Sequence, residues 1–505
     1  MKSKKKATLN VLFNFINQFV TIGIGILIPR LVLVNFGSEI NGFLNSVTQI
    51  YTYIALVEAG VGTATLQVLY KPVASDDKKS INEILSATSR YYRRAGIIYL
   101  GLIVAFAAIY PLVVRSDIDY WTMILVILFN GLGGVISFFF QGKFRMLMQA
   151  EGKNYVLTNL STISHLLTGF SKVVLLLLGC NVIALQIAYF VIHILQMLYL
   201  MIYVKRKYKW IDLSAKPNYE SLNQKNAVLV GQVSYLVFNN TDTILLSVFT
   251  GLKVVSVYSL YNMVFNMVRT LLENIFGSVT FIMGQTFNQD IKKYTRFHDI
   301  YETMHLTVAF TLYATANLLV IPFIRLYTDG IFDIQYVDAW LPVMFASMCL
   351  LSAMRGASGQ VINFAQHFKK TQSRTIAEAI INIVSSLLLV FKFGIYGVIL
   401  GSILALLYRT NDMIIYANKV ILKRSPWKTY RKCCINIVLF LAIDFAKRYF
   451  IDRVENYLHF FVLAIIVVFT LAVVFVTVNL AFDGESRRWL FDLLRKKLGR
   501  KTRTE

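Results

Sequence analysis

The chain reads as a succession of apolar runs of roughly 20 residues, each long enough for a helix to cross bilayer hydrocarbon, separated by short segments that carry most of the charge. Runs near residues 9 to 35, 42 to 68, 95 to 114, 120 to 142, 155 to 179 and 182 to 204 form a first set. A second set lies near 227 to 250, 254 to 283, 302 to 326, 339 to 362, 376 to 393 and 396 to 418, and two more follow near 433 to 450 and 457 to 482. The pattern predicts an all-α integral membrane protein of about 14 transmembrane helices.

Two stretches share a layout. "NFGSEINGFLNSVTQIYTYIALVEAG" (35 to 60) and "FTGLKVVSVYSLYNMVFNMVRTLLEN" (249 to 274) each end a span at a glycine, Gly37 or Gly251, turn, and begin a span speckled with polar residues. The offset relates spans one and two to spans seven and eight. An even number of spans lies between the copies, so the two six-helix halves have the same orientation, in pseudo-two-fold arrangement about an axis along the membrane normal. Chance similarity between two outer hairpins is the competing explanation. The expected organisation is an N-terminal half over 1–204, a cytoplasmic linker over 205–225, a C-terminal half over 226–420, an additional helix pair over 421–482 and a basic cytoplasmic tail over 483–505.

Charge sets the orientation. Of the 51 Lys and Arg, about 39 fall in alternate loops and the two tails, which places both termini in the cytoplasm by the positive-inside rule. The net charge of +24 is thereby a topology signal and excludes a nucleic-acid partner, which would need the cations gathered on one folded face. With 56% hydrophobic and 15% charged residues and a mean hydropathy of +0.59, the chain is far too apolar for a soluble protein. "MKSKKK" and the run after it imitate a signal peptide, but the run continues past Pro29 without a cleavage site and reads as a retained first span. Cys180, Cys349, Cys433 and Cys434 have neither metal-site nor disulfide spacing. No metal or cofactor is expected. The tail "SRRWLFDLLRKKLGRKTR" reads either as a basic amphipathic segment on anionic headgroups or as a frayed end that reinforces topology.

Outer loops are short, so no catalytic domain stands beyond the membrane, and no HExxH, GxSxG or P-loop pattern occurs. Function must reside in the polar residues of the spans. Positions separated by three, four, seven or eleven share a helix face. Such stripes are Asn14, Gln18 and Thr21 in the first span; Ser161, His165, Thr168 and Lys172 in the fifth; Gln232, Tyr235, Asn239 and Asp242 in the seventh; and Asn262, Asn266, Arg269 and Glu273 in the eighth. They suit a watery interior, because lipid cannot satisfy them. The alternative is interhelical hydrogen bonding, which fits Asn14, Gln18 and Asn262 well enough, and a local Arg269–Glu273 pair. Lys172, Arg269, Arg355 and, given a kink at Pro29, Arg30 are the expected cavity cations; Glu58, Asp242 and Glu273 are counter-charges or proton carriers. Arg409 with Asp412 reads as structural, and His165 and His193 more as packing residues than as proton carriers.

"LVNFGSEINGFLNSV" (33 to 47), "VEAGVGTATLQVLYKP" (57 to 72), "MQAEGKNYVLTN" (148 to 159) and "NTDTILLSVFTGLKVVSVYSLYNMV" (240 to 264) resemble the polysaccharide transporter family, the O-antigen type lipid-linked oligosaccharide flippases of the multidrug/oligosaccharidyl-lipid/polysaccharide exporter superfamily. The resemblance covers essentially the whole chain through loose motifs. It implies a flippase that moves an undecaprenyl-diphosphate-linked oligosaccharide across a bacterial inner membrane by alternating access, with cavity cations meeting the diphosphate. It also implies membrane lipids, a polysaccharide polymerase and export machinery as partners. Arg30 is the only cation of the family's set in the first two spans, which argues against the lipid II branch. The competing readings are a drug exporter of the same superfamily and, further off, a membrane polysaccharide polymerase or ligase.

Overall fold

The computed structural model describes residues 2–58, 61–218, 236, 240–446, 454–489 and 491–492. Among them the chain is almost wholly helical and has no β-strand. Ten helices among the described residues are long and apolar enough to cross a membrane. The chain falls into two compact units, Met1–Ser256 with Gly330–Ile334, and Val257–Asp329 with Gln335–Glu505.

In the first unit α1 (Lys2–Ile54) runs through the first expected span and into the second, which it leaves at Ile54, with a kink at Gly37, whose φ of 79° and ψ of 179° are open to glycine and costly for other residues. A 3₁₀ turn (Ala55–Glu58) precedes α2 (Val61–Ala74). Helix α3 (Lys78–Val113) starts where Asp77 accepts from the Ser80 N–H (3.1 Å), and α4 (Tyr120–Ile136) where Asp119 accepts from the Thr122 N–H (2.9 Å). A π-helical turn (Ser137–Gln141) joins α4 to α5 (Gly142–Ala150), followed by α6 (Asn154–Leu177), α7 (Val182–Lys207) and α8 (residues 240–249). Gly251, with φ 97°, sits between α8 and α9 (Leu252–Gln289). Both repeat glycines thus adopt the left-handed backbone. Just beyond them, α1 and α9 cross so closely that a Cβ on Gly42 would lie 1.8 Å from the Leu252 carbonyl oxygen. The Asn41 amide donates to the Ser256 hydroxyl (2.7 Å), and Asp333 accepts from the Ser38 N–H (2.8 Å) and hydroxyl (2.6 Å). Phe43, Tyr51, Val61, Tyr92, Tyr99, Ile103, Val126 and Ile127 form the core beneath.

The second unit is built around α10 (Ile291–Tyr327), with 72% of its apolar window buried against 11% for α16 (Tyr457–Phe482), which lies at the rim. Between them in sequence come α11 (Leu341–Met354), α12 (Gly356–Phe364), α13 (Phe368–Phe393), α14 (Ile395–Tyr416) and α15 (Trp427–Ala446). Along α10 the hydroxyls of Thr307, Thr311 and Thr315 each donate to the carbonyl four residues back, so these buried hydroxyls are satisfied within the helix. Helices α13 and α14 touch backbone to backbone: a Cβ on Gly397 would meet the Leu389 carbonyl at 2.2 Å, and Asn382 donates to Ser402 (2.8 Å). Helices α15 and α16 exchange hydrogen bonds between Asn436 and Asn479 (both 2.9 Å), and Asn317 ties α10 to Asp444 on α15 (2.7 Å). Trp340, Trp427 and Tyr457 are exposed at the starts of α11, α15 and α16.

Candidate functional site

In the first unit α6 carries Lys172, half-buried within its span. Its ammonium lies over the Tyr189 ring of α7, 5.7 Å from the centroid. Among the described residues no carboxylate pairs with it. Tyr189 in turn packs at a tilt against His193 (centroids 4.1 Å apart), whose Nδ1 donates to the Tyr189 carbonyl (3.0 Å). Helix α4 closes on the pair at Gly133, where a Cβ would come within 3.3 Å of Tyr189 and 3.4 Å of His193. A ring face returns about 0.5 to 2 kcal/mol to a cation. That is short of what an ammonium loses on leaving water. Among the described residues the site is electrostatically incomplete. His165, on the same face of α6, is exposed.

At the other end of the unit two helix irregularities meet on α3. Glu58, last residue of the 3₁₀ turn, accepts from the Tyr92 hydroxyl (2.5 Å), and the Tyr91 hydroxyl donates to the Val57 carbonyl (3.1 Å) that the turn leaves over. The Tyr92 ring also fills the space beside Gly142, directly after the π turn. Lys143 donates to Ser89 (3.0 Å), and burial pulls its ammonium pKa below the ordinary lysine value. Asp242 is buried on α8 at 3% exposure; its neighbour Thr241 bonds the Tyr53 hydroxyl (2.6 Å). Arg30 and Gln18 are half-buried on α1. Gln232, Tyr235, Asn239 and the side chain of Asn14 lie outside the described residues.

In the second unit the expected stripe of α9 is present and self-paired: Asn266 donates to Asn262 (2.9 Å) and Arg269 to Glu273 (3.0 Å). The ion pair is open, with side chains 36% and 65% exposed. Arg355 stands at a break in its span, between α11 and α12, where the Thr410 hydroxyl donates to the Leu351 carbonyl (3.0 Å). Its guanidinium binds Glu378 of α13 (2.5 Å), whose second oxygen lies 3.5 Å from Arg409 of α14. Arg409 also binds Asp412 (2.5 Å), as the sequence suggests, and Arg374 binds the other oxygen of Asp412 (2.9 Å). Three guanidiniums thus share two carboxylates. Glu378 was not singled out from the sequence; its signal is an isolated acid in an apolar run that must find a partner.

A second charged group missed by the sequence reading lies where α10, α15 and the end of α16 meet. Asp299 is held by Arg424 and by Lys428 (2.8 Å), and Glu302 by Lys432 (3.2 Å) and the Thr429 hydroxyl (2.8 Å). Asp483, just beyond α16, accepts from the Thr303 hydroxyl (2.5 Å) and the Ser486 hydroxyl (2.8 Å). Burial works against its carboxylate, but those hydroxyls and nearby Lys432 hold its pKa below the usual range. These cations are distant in sequence from the acids they meet, so no helical spacing announces them.

No protein-family model and no curated protein matches the sequence. Solved structures do match its fold. A structure titled "Lipid II flippase MurJ, inward closed conformation" superposes with a TM-score of 0.67 at 13% identity, over 93% of this chain and 99% of that one. An inward-facing multidrug resistance MATE family transporter of the MOP superfamily follows at 0.63 and 13%, over 86% and 99%. A MOP superfamily transporter from Pyrococcus furiosus, whose title reports reversed polarity of its binding pocket, gives 0.52 and 15%, over 83% and 94%. The chain has the fold of these multi-pass membrane transporters.

Proposed function

We propose that the chain is a flippase that carries an undecaprenyl-diphosphate-linked oligosaccharide across the bacterial inner membrane by alternating access, in the synthesis of O-antigen, capsule or exopolysaccharide. The observation that carries this reading is Lys172: an intramembrane ammonium on an aromatic ring, with no acid beside it among the described residues. The barrier to flipping is desolvation of the diphosphate and the sugars. An incomplete cationic site replaces part of that hydration and is itself completed by the phosphate oxygens. Arg269, whose pair with Glu273 is open, can exchange the carboxylate for a phosphate at small cost. Arg355 is engaged with Glu378, so its role in this scheme is to hold the helix break rather than to meet substrate.

Alternating access needs two equivalent halves. The six-plus-six plan is supported by the shared backbone of Gly37 and Gly251, and by a crossing that brings Gly42 against Leu252 and Ser256 in the paired stretches. The fold shared with the named lipid II flippase fits a lipid-borne cargo; the fold shared with MATE transporters keeps a drug exporter as the second reading. An unpaired lysine disfavours a cationic drug there. The experiment is reconstitution into liposomes with a fluorescent undecaprenyl-diphosphate disaccharide and, separately, a cationic dye. The flippase reading expects transport of the first only. A charge-assisted contact is worth about 1.5 to 3 kcal/mol, so Lys172→Ala and Arg269→Ala should each lower transport by about 10- to 150-fold at normal abundance. Full transport in both variants, or transport of the dye alone, overturns the reading.

A further inference from the structure

Helix α10 carries buried titratable groups over about two turns: His298, Asp299, Glu302 and His305. The acids are matched, since Arg424 and Lys428 take Asp299, Lys432 takes Glu302, and Lys432 also approaches Asp483 (3.8 Å). His298, Asp299 and Glu302 bring ligand atoms within 4.8 Å of one another, as a metal site would. With Arg424, Lys428 and Lys432 already on those carboxylates, however, a divalent cation would meet three positive charges. What remains over is the imidazoles. His298 Nδ1 accepts from Arg424 (3.3 Å), so Nε2 carries the proton, buried and without an acceptor among the described residues. His305 makes no hydrogen bond among the described residues, and its Nδ1 is fully buried. Its ring sits edge-on to Phe276 of α9 (4.9 Å) and stacks on Tyr301 (5.8 Å). Its Cε1 would lie 3.0 Å from a Cβ on Gly356, the first residue of α12 after the break at Arg355.

A packing histidine satisfies its nitrogens; this one is kept bare inside a span, against the irregular turn of a broken helix. We propose that His305, with Glu302 one turn before it, is a proton-binding site coupled to movement at the α11–α12 break, which would make a proton gradient the energy source of transport. The inference rests on the reading of the chain as a transporter. A proton from the aqueous phase binds an imidazole nitrogen, and the imidazolium takes the Glu302 carboxylate as counter-ion, shared with or drawn from Lys432. The charged groups around it are Glu302 and Asp299 on α10, Lys432 and Lys428 on α15, Arg424 before α15 and Asp483 after α16. On the α12 side Arg355 is occupied by Glu378, and α9 presents Phe276. His298 stands about 10 Å nearer the start of α10, the end expected in the cytoplasm, and offers a first station on the way in.

Two measurements test this on the purified full chain in liposomes. The first needs no substrate: hydrogen exchange of residues 355–364, corrected for intrinsic rates, at pH 5 and pH 8. Wild type should exchange faster at the acid pH and His305→Gln should not; an equal acid response in both overturns the proposal. The second follows the fluorescent undecaprenyl-diphosphate disaccharide at zero membrane potential. One proton exchanged per lipid allows a one-unit pH gradient to build up to about tenfold asymmetry between leaflets. His305→Gln should abolish the asymmetry while retaining equilibrating flux; a retained asymmetry overturns the proposal. If wild type moves no lipid, the function proposed above fails, while the exchange result still decides His305. Should His305→Gln not purify as a monodisperse protein, Glu302→Gln serves, with the same outcomes.

Discussion

Replacing Glu378 by Gln removes the carboxylate that Arg355 and Arg409 share, at side-chain exposures of 8%, 18% and 4%. At the effective dielectric of about 20 that suits such sites, unit charges about 4 Å apart interact by about 4 kcal/mol. The Arg409 contact, at 3.5 Å and without a hydrogen bond to its Nε, adds less. Gln keeps one acceptor, worth about 1 kcal/mol. The expected loss is therefore about 3 kcal/mol, at the lower end of the roughly 3 to 5 measured when one member of a buried pair is removed. Arg355→Met in the same chain removes the charge left facing Arg409, so the double variant should lose only about 1 kcal/mol, a coupling of about 2 kcal/mol or more. Equilibrium unfolding by sodium dodecyl sulfate in mixed micelles, followed by circular dichroism, measures all corners of the cycle. If Glu378→Gln costs less than about 1 kcal/mol, or the two losses simply add, the network does not hold the break. Transport separates the roles of Arg355: the double variant should keep it, whereas a substrate-binding Arg355 would lose it with Met.

The α1–α9 crossing leaves no room for a methyl group, so Gly42→Ala should destabilise by about 1 to 3 kcal/mol in the same unfolding assay; Gly251→Ala, with open space around it, should be strained through its φ of 97° alone. Asn436→Leu should cost about 0.6 to 2 kcal/mol because Asn479 loses its reciprocal partner, whereas the Asn436→Leu, Asn479→Leu double variant should recover most of it. Since the folded pKa of Asp483 is depressed, its contribution is complete above the ordinary carboxylate range and is lost as pH falls through the depressed value. Hydrogen exchange at residues 483–489 should therefore rise below about pH 4 in wild type, and Asp483→Asn should show the raised exchange already at neutral pH.

The rhythm of apolar runs and loop cations carried the membrane fold, because each helix must satisfy its own backbone in lipid and so announces itself locally. Gly37 and Gly251 were legible as turning points because a positive φ favours glycine. The first span and the start of the second nonetheless form one kinked helix, since a single positive-φ residue redirects a chain without a loop. Of the expected spans, α9 and α15 are present as helices but are not among the ten that are long and apolar enough. On the site, spacing found Arg269–Glu273 and Arg409–Asp412, pairs made within one helix. It could not find Glu378 beneath Arg355 or Lys432 beneath Glu302, because those partners come from other helices and helical periodicity contains no information about them.

The hydroxyls of Thr307, Thr311 and Thr315 on α10 bond inward to their own helix. Polar atoms at the centre of the second unit therefore make no commitments to neighbouring helices through these hydroxyls. Between its ties to α15, Asp299 and Glu302 at one end and Asn317 at the other, that stretch can twist by a fraction of a residue without orphaning a donor, much as a journal turns in its bearing, while the tight α13–α14 hairpin cannot. Mobility in this unit should accordingly be concentrated along one lubricated axis rather than shared among its helices.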